Sequence, residues 1–231
     1  MVVLRSDFNR SYKPSSSAVD PDAIVNSATG TTGLLNAIDK KDFVLAQRFL
    51  KDGADPDKPD NYGRTPLMAV ASLGHDGMID ALINAGADIK RQANDGTTAL
   101  MAASTAPDPF TTSMTLMRLG ADPNQVNARG QTALHAAAAV KDAGLLQLFL
   151  RLTTNPSQAD HNGMTPLLIA ARRGTAETVK ALVVYGADLA AVTPTGDTAL
   201  HLAATQNNSA VAEYLLTTKA IHLAAMPNTY G

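Results

Sequence analysis

The sequence predicts an all-α solenoid, in which one short unit of structure is stacked many times. The first observation is a glycine that recurs every 33 or 34 residues, followed by threonine two positions later and by leucine four positions later. These marker glycines are Gly30, Gly63, Gly96, Gly130, Gly163 and Gly196. The second observation is a Gly-Ala-Asp triplet that begins ten residues before a marker glycine, at Gly53, Gly86, Gly120 and Gly186. Columns of residues that stay in phase over six units indicate tandem repeats.

Each unit carries the signals of a first helix. The threonine after the marker glycine is a good N-cap, and in Thr65-Pro66 and Thr165-Pro166 it is followed by proline, which suits the first helical position. Small residues come next, as in Ala136–Ala139, so neighbouring helices can approach closely.

A second helix follows in the same unit. It carries two adjacent large apolar residues at a fixed place, for example Phe49-Leu50 and Leu82-Ile83. The glycine of the Gly-Ala-Asp triplet marks its end, because glycine adopts the left-handed cap conformation at little steric cost. One such pair of helices has too little core to be stable alone, so stability must come from stacking.

These residues resemble the ankyrin repeat family, whose signature is G-x-T-P-L-H-x-A-A. Residues Gly163–Ala171 read GMTPLLIAA and residues Gly130–Ala138 read GQTALHAAA. The resemblance covers about residues 27–222 and implies ankyrin-type helix pairs, each preceded by a short β-hairpin finger, in a curved solenoid. The six repeats that it implies are residues 27–59, 60–92, 93–126, 127–159, 160–192 and 193–222.

The two ends of the chain depart from the repeat. Residues 1–26 are polar and contain proline and serine, so we expect an N-terminal extension or linker. Residues 223–231 are either a C-terminal cap or the start of a truncated further repeat, and Asn228–Gly231 resembles the finger sequence Asn61–Gly63.

The composition argues against several classes of protein. The formal net charge of -2 disfavours a nucleic-acid partner, because such proteins normally carry a basic surplus. The absence of cysteine excludes disulfides and thiolate metal sites, and no apolar run reaches the roughly 18 residues of a membrane helix. We expect a monomer without cofactor or metal. The compartment stays open: a cytoplasmic location is favoured, with a periplasmic or secreted effector as the alternative.

No catalytic motif accompanies the repeats. Zinc-protease, phosphate-loop, serine-hydrolase and dinucleotide fingerprints are all missing from the sequence, so we expect no enzymatic activity. The resemblance implies a structural hydrogen-bonding role for His135 and His201. The crowded carboxylates near Asp57 miss the spacing of a calcium loop, and turn formation explains them better.

The candidate site is a surface. In the ankyrin family, the finger residues and the ends of the first helices line a concave face that binds protein partners. Tyrosine and arginine most often contribute binding energy at interfaces, which directs attention to a subset of these positions. The predicted partner-binding residues are Tyr62, Arg64, Arg129, Gln131, His161, Met164, Arg172 and Arg173. The cluster of Arg129, Arg172 and Arg173 on adjacent units predicts an acidic patch on the partner.

The sequence therefore predicts a non-enzymatic protein–protein interaction module that binds a partner protein through the concave face. Two other functions stay open. The array could recruit the substrate of a larger enzyme, an alternative that the N-terminal tail and a possible truncation at Gly231 motivate. That enzyme could be a bacterial effector, since an alanine-rich array without cysteine resembles bacterial members of the family. It could also be a stoichiometric inhibitor or immunity protein for an enzyme.

Overall fold

The chain folds into two layers of short helices. The computed structural model describes residues 20–218 and Asn228, and twelve helices within this part form six consecutive pairs. The first helices of the pairs are α1 (Gly33–Asp39), α3 (Pro66–Leu73), α5 (Ala99–Ala103), α7 (Ala133–Ala138), α9 (Pro166–Arg173) and α11 (Ala199–Thr205). The second helices are α2 (Phe43–Lys51), α4 (Asp76–Asn84), α6 (Pro109–Arg118), α8 (Ala143–Leu150), α10 (Ala176–Val184) and α12 (Ser209–Thr217).

Stacking produces the layers. Each first helix contacts the first helix of the next pair, and each second helix contacts the next second helix. Within a pair, a connection of only a few residues makes the two helices antiparallel neighbours. The expected all-α solenoid is confirmed.

The repeated threonine starts every first helix. At five of the six starts its hydroxyl accepts the backbone N–H three residues later, as between Thr65 and Met68 (3.3 Å). At the remaining start, the ring of His135 accepts the backbone N–H of Thr132 at 3.1 Å. The first helices are therefore fixed at their N-termini by local hydrogen bonds, as the sequence predicted.

The core is one continuous apolar cluster between the layers. The repeated leucine is buried in the first five units, with Leu67 and Leu134 at 1% and 2% exposure. Small residues such as Ala103 and Ala171 are fully buried at the contacts between first helices. Phe149 of α8 is the largest of the fully buried side chains. Burial of this kind supplies most of the stability of each unit, and each unit obtains it from its neighbours.

The fingers are tight turns, and strands occur only in the first finger of the described chain. There, β1 (Ile24–Asn26) pairs antiparallel with β2 (Thr31–Thr32), whereas later fingers have isolated bridges such as Gln92 with Thr98. In the second finger the Asp60 N–H donates to the Arg64 carbonyl at 3.1 Å, and the next four fingers repeat this bond. A turn that is closed by a hydrogen bond over five residues is too short for two paired β-strands.

Backbone hydrogen bonds join successive fingers. The Asn94 N–H of the third finger donates to the Tyr62 carbonyl of the second at 3.0 Å. The His161 N–H of the fifth finger donates to the Arg129 carbonyl of the fourth at 2.8 Å. Equivalent bonds join the first finger to the second and the third to the fourth. The equivalent residue of the sixth finger is Pro194, which has no N–H to donate. Among the six fingers of residues 20–218, this ladder therefore joins the first to the fifth.

Residues 20–26, which the sequence assigns to the N-terminal extension, lie against the first unit. The carbonyl of Pro21 accepts the Leu34 N–H at 3.2 Å, and the carboxylate of Asp22 accepts the Asp55 N–H at 3.2 Å. At the other end, Asn228 Nδ2 donates to Asp197 Oδ1 at 2.6 Å. The expectations for residues 1–19, and for 223–231 apart from Asn228, lie outside the described residues.

Candidate functional site

Two concave pockets lie along the surface made by the finger tips and the first helices, which we call the groove face. The apolar pocket, between the second and third units, has a volume of about 390 Å³. The arginine pocket, between the fourth and fifth units, has a volume of about 350 Å³. Seven of the eight predicted residues line one pocket or the other, and the eighth, His161, lies on an adjoining finger tip.

The apolar pocket has an aliphatic floor and a polar rim. Its lining residues are Tyr62, Arg64, Met68, Ser72, Ala93, Asn94, Asp95, Thr97 and Ala102. Tyr62 is 67% exposed, while Met68 is buried beneath the pocket. The hydrogen bonds from Thr97 hold the pKa of the Asp95 carboxyl below its usual value, so the rim carries a negative charge at neutral pH.

Arg64 is already engaged inside the protein. Its Nη1 and Nη2 donate to the two carboxylate oxygens of Asp39 at 2.9 and 2.7 Å, and its Nε donates to Asp60 Oδ2 at 3.2 Å. The hydrogen bonds to Asp39 raise the pKa of the guanidinium above its usual value. Arg64 thus forms part of the wall of the apolar pocket, and the carboxylates of Asp39 and Asp60 neutralise its charge.

The arginine pocket gathers three cations from adjacent units. Its lining residues are Arg129, Gln131, His135, Ala136, Ala139, Asp160, Asn162, Met164, Ile169, Arg172 and Arg173. Arg129 comes from the fourth finger, whereas Arg172 and Arg173 end helix α9, and all three are exposed. Over the part of the chain that the structure describes, none of these guanidinium groups forms an ion pair or a hydrogen bond.

The carboxylate in this pocket does not neutralise the arginines. Asp160 Oδ2 accepts Gln131 Nε2 at 2.8 Å, and Asp160 Oδ1 accepts the backbone N–H groups of Asn162 and Met164 at 2.9 Å. Burial raises the pKa of Asp160, but these hydrogen bonds outweigh burial and hold the pKa below its usual value. Asp160 is therefore an ionised group that organises the finger.

The other predicted residues have different surroundings. Gln131 is half-buried and bonded to Asp160, so it supports the pocket wall. Met164 is half-buried and gives the pocket an apolar side. His161 is exposed at the fifth finger tip, where its ring lies against Gly130.

A third, polar pocket of about 460 Å³ lies on the other side of the α9 arginines. It includes Arg172, Arg173 and Lys141, together with Asn207 and Asn208 of the last described loop. Sequence reasoning missed Lys141 and Met68. Lys141 follows the end of a first helix, so its place in the repeat could have identified it, whereas Met68 resembles any other core methionine.

The histidines and the carboxylate singled out by the sequence form hydrogen bonds within the fold. His135 is 2% exposed, its Nδ1 lies 3.0 Å from Thr132 Oγ1, and His201 makes the corresponding contact to Thr198 at 2.9 Å. Asp57 accepts the Asp88 N–H at 3.0 Å and so links two neighbouring units. Within residues 20–218 and Asn228, no cluster of three or more histidine or acidic side chains could hold a metal ion. None of the helices that the structure describes is long and apolar enough to cross a bilayer.

Comparisons with known proteins agree on one family. The family model for ankyrin repeats (3 copies) matches residues 34–108 and 134–226. The human SH3 and multiple ankyrin repeat domains protein 2 is 32% identical over 210 residues, which is 90% of this chain and 11% of that protein. Neurogenic locus notch homolog protein 1 of Xenopus tropicalis is 37% identical over 124 residues, which is 53% of this chain and 5% of that protein. The chain thus spans about a tenth or less of the length of these relatives.

The chain is also similar to a solved structure over most of its length. That structure is of a predatory endopeptidase from Bdellovibrio bacteriovorus in complex with an immunity protein. A chain in that structure superposes with a TM-score of 0.72 and 27% sequence identity, covering 82% of this chain and 99% of that one. The chain described here therefore belongs to the ankyrin repeat family, a family of protein-interaction modules.

Proposed function

We propose that the chain binds a partner protein through its groove face, with an acidic surface of the partner in the arginine pocket. The observation that carries this proposal is the set of three exposed guanidinium groups, Arg129, Arg172 and Arg173, around one pocket. The carboxylate beside them is already hydrogen-bonded to its own finger. Guanidinium groups in such a position favour a carboxylate from outside the chain.

The rigidity of the groove face supports binding. The fingers are joined by backbone hydrogen bonds, and the α9 arginines are on a helix packed against α7 and α11. Little backbone ordering is needed on association, so a modest set of contacts can give useful affinity.

The eight predicted residues divide into two groups under this proposal. Arg64 and Gln131 support the pocket walls through their carboxylate partners. The remaining residues contact the partner directly, and these are Tyr62, Arg129, His161, Met164, Arg172 and Arg173.

We further propose that six repeats within residues 27–222 make up the binding module, that it acts as a monomer and that it performs no catalysis itself. Six helix pairs in the described region support the repeat count. The family supports the role, since the ankyrin repeat model matches most of this chain and the human relative is named for its multiple ankyrin repeats.

The test is a pull-down read by mass spectrometry. The bait is either the unchanged chain or a variant in which Tyr62, Arg129, Arg172 and Arg173 are all replaced by Ala. We expect the variant to lose the captured partner while its melting temperature changes by only a few degrees, because all four side chains are exposed.

A matched control carries four exposed changes on the second helices and the segments that follow them, Arg48→Ala, Arg151→Ala, Lys180→Ala and Val184→Ala. This control removes a similar amount of charge and apolar surface away from the groove face and should keep the partner. Equal capture by the groove variant and the unchanged chain would overturn the proposal.

A second candidate function is stoichiometric inhibition of a peptidase. The solved complex of an endopeptidase with an immunity protein favours it, because a chain of that complex has this fold over nearly its whole length. If the captured partner is a peptidase, one equivalent of the chain should abolish its activity and the four-alanine groove variant should not. If the peptidase keeps its full activity at a saturating concentration of the chain, inhibition is excluded. Recruitment of a substrate to a larger enzyme is then the remaining alternative.

A further inference from the structure

We propose that the partner segment is bipartite, with an acidic side chain in the arginine pocket and a large apolar side chain in the apolar pocket. The two side chains are separated by about five or six residues of extended chain. This inference rests on the proposed function and names the chemistry of the ligand that the groove face selects.

The apolar pocket accepts an apolar side chain because of its lining. Met68, Ala93 and Ala102 form the floor, and the exposed ring of Tyr62 stands at the edge. Its volume of about 390 Å³ falls within the range of pockets that hold small ligands. Packing an aliphatic or aromatic side chain against the exposed ring of Tyr62 is favourable, because it removes apolar surface from water.

The charges around the apolar pocket disfavour an acidic group. Arg64 supplies a guanidinium there, but Asp39 and Asp60 hold it in hydrogen bonds, and Asp95 adds a further carboxylate on the rim. The opposite balance holds in the arginine pocket, where three guanidinium groups face the single carboxylate of Asp160. The arginine pocket thus favours an acidic side chain, and the apolar pocket favours an apolar side chain.

The repeat fixes the distance between the pockets. Tyr62 and Arg129 each precede a marker glycine, so they occupy equivalent positions on the second and fourth fingers. Packed helices lie roughly 8–10 Å apart, which places positions two units apart about 16–20 Å from each other. An extended chain advances about 3.3 Å per residue, so roughly five or six residues cover that distance.

The experiment is a selection from a library of random twelve-residue peptides displayed on phage, with the full chain as the target. We expect enriched peptides to contain Asp or Glu and a Leu, Met or aromatic residue separated by five or six positions. No enrichment, or enrichment without this pairing, would overturn the inference.

Two variants separate the pockets. Tyr62→Glu adds a charge to the apolar pocket at an exposed position, so its selected peptides should keep the acidic residue and lose the apolar preference. The double variant Arg172→Ala and Arg173→Ala should give the reverse result. Both variants change exposed side chains, so their folding can be verified by the melting temperature.

Fluorescence polarisation with synthetic versions of the enriched peptide gives the quantitative result. Reducing the separation to two residues, or replacing the apolar residue by Ser, should weaken binding at least tenfold. Affinity that does not depend on the separation would overturn the bipartite inference.

The outcomes also distinguish this inference from the proposed function. If peptides bind the chain, lose binding to the four-alanine groove variant and yet lack the paired motif, the groove face is the binding site and the bipartite inference fails. If peptide binding survives the four-alanine variant, both proposals fail.

Discussion

Arg64 and Asp39 form a two-pronged ion pair across the first two units, with Nη1 2.9 Å from Oδ1 and Nη2 2.7 Å from Oδ2. Asp39 is the last residue of α1, and Arg64 belongs to the second finger. Two parallel hydrogen bonds fix the orientation of the guanidinium group relative to the carboxylate, which a single hydrogen bond does not. The pair therefore links neighbouring units at a residue that the sequence marked as partner-binding.

This geometry predicts a measurable coupling. Replacing Arg64, Asp39 or both by Ala should give a double-mutant cycle with a coupling free energy of about 1 kcal/mol, since both side chains are partly exposed and screened by water. The free energies of unfolding are measured by urea denaturation. Effects of the two substitutions that add within about 0.3 kcal/mol would contradict the prediction.

The chain offers a matched control for this cycle. Arg48 and Asp52 lie four residues apart, Arg48 Nε is 3.6 Å from Asp52 Oδ2, and the arginine side chain is 74% exposed. A single long contact at such exposure should give a coupling near zero in the same measurement.

Two glycines with similar backbone angles should respond differently to alanine. Gly63 has φ +77° and Gly86 has φ +99°, so a side chain is strained at both positions. A Cβ on Gly63 would lie 2.5 Å from the backbone nitrogen of Asn94, whereas a Cβ on Gly86 would have nothing within 4 Å.

Gly86→Ala should therefore lower the free energy of unfolding by about 1 kcal/mol through the backbone angle alone. Gly63→Ala should cost roughly 2 kcal/mol more, because it also displaces the Asn94 N–H from the Tyr62 carbonyl. Thermal unfolding of both variants measures the difference. Equal losses would mean that the contact between fingers adds nothing to stability.

Leu134 and Leu152 form a second contrasting pair. Leu134 is 2% exposed in the fourth unit, and Leu152 is 49% exposed after α8. Leu134→Asp should unfold the middle of the array, since a buried carboxylate has no cation beside it in the core, whereas Leu152→Asp should change stability by about 0.5 kcal/mol or less. Circular dichroism and limited proteolysis measure the outcome, and a folded Leu134→Asp chain would contradict the assignment of the core.

The periodic part of this structure was predictable, and the contacts between units were not. Thr65 and Gly63 repeat their chemistry in every unit, so their cap and turn followed from spacing alone. The partner of Arg64 is Asp39, 25 residues earlier, and nothing periodic in the sequence joins the two. For the same reason, the position of Met68 under a pocket could not be separated from an ordinary core position. Side-chain pairs between units depend on packing that a repeat pattern does not specify.

The buried imidazole of His135 makes stability depend on pH. Burial lowers its pKa below the usual 6.5, and a nearby carboxylate, Asp160, only partly opposes that effect. Nδ1 accepts the Thr132 N–H at 3.1 Å, which places the proton of the neutral ring on Nε2. A charged ring would have to be formed in the core.

The sign follows from proton binding in the two states. Well above pH 6.5 both the folded and the unfolded ring are neutral, so His135 adds no pH dependence to the free energy of unfolding there. Below pH 6.5 the unfolded chain binds a proton that the folded chain does not, so the free energy of unfolding falls as pH falls, until the folded pKa is reached. The slope for one proton is at most about 1.4 kcal/mol per pH unit.

His135→Gln removes this titration and leaves the other histidines in place. The difference in free energy of unfolding between the unchanged chain and the variant should therefore shrink between pH 7.5 and pH 5.5, measured by urea denaturation at each pH. Since the remaining ionisable groups are common to both chains, their contributions cancel in the difference. A difference that stays constant over this range would mean that the folded and unfolded rings bind protons equally, and that burial of His135 does not control its charge.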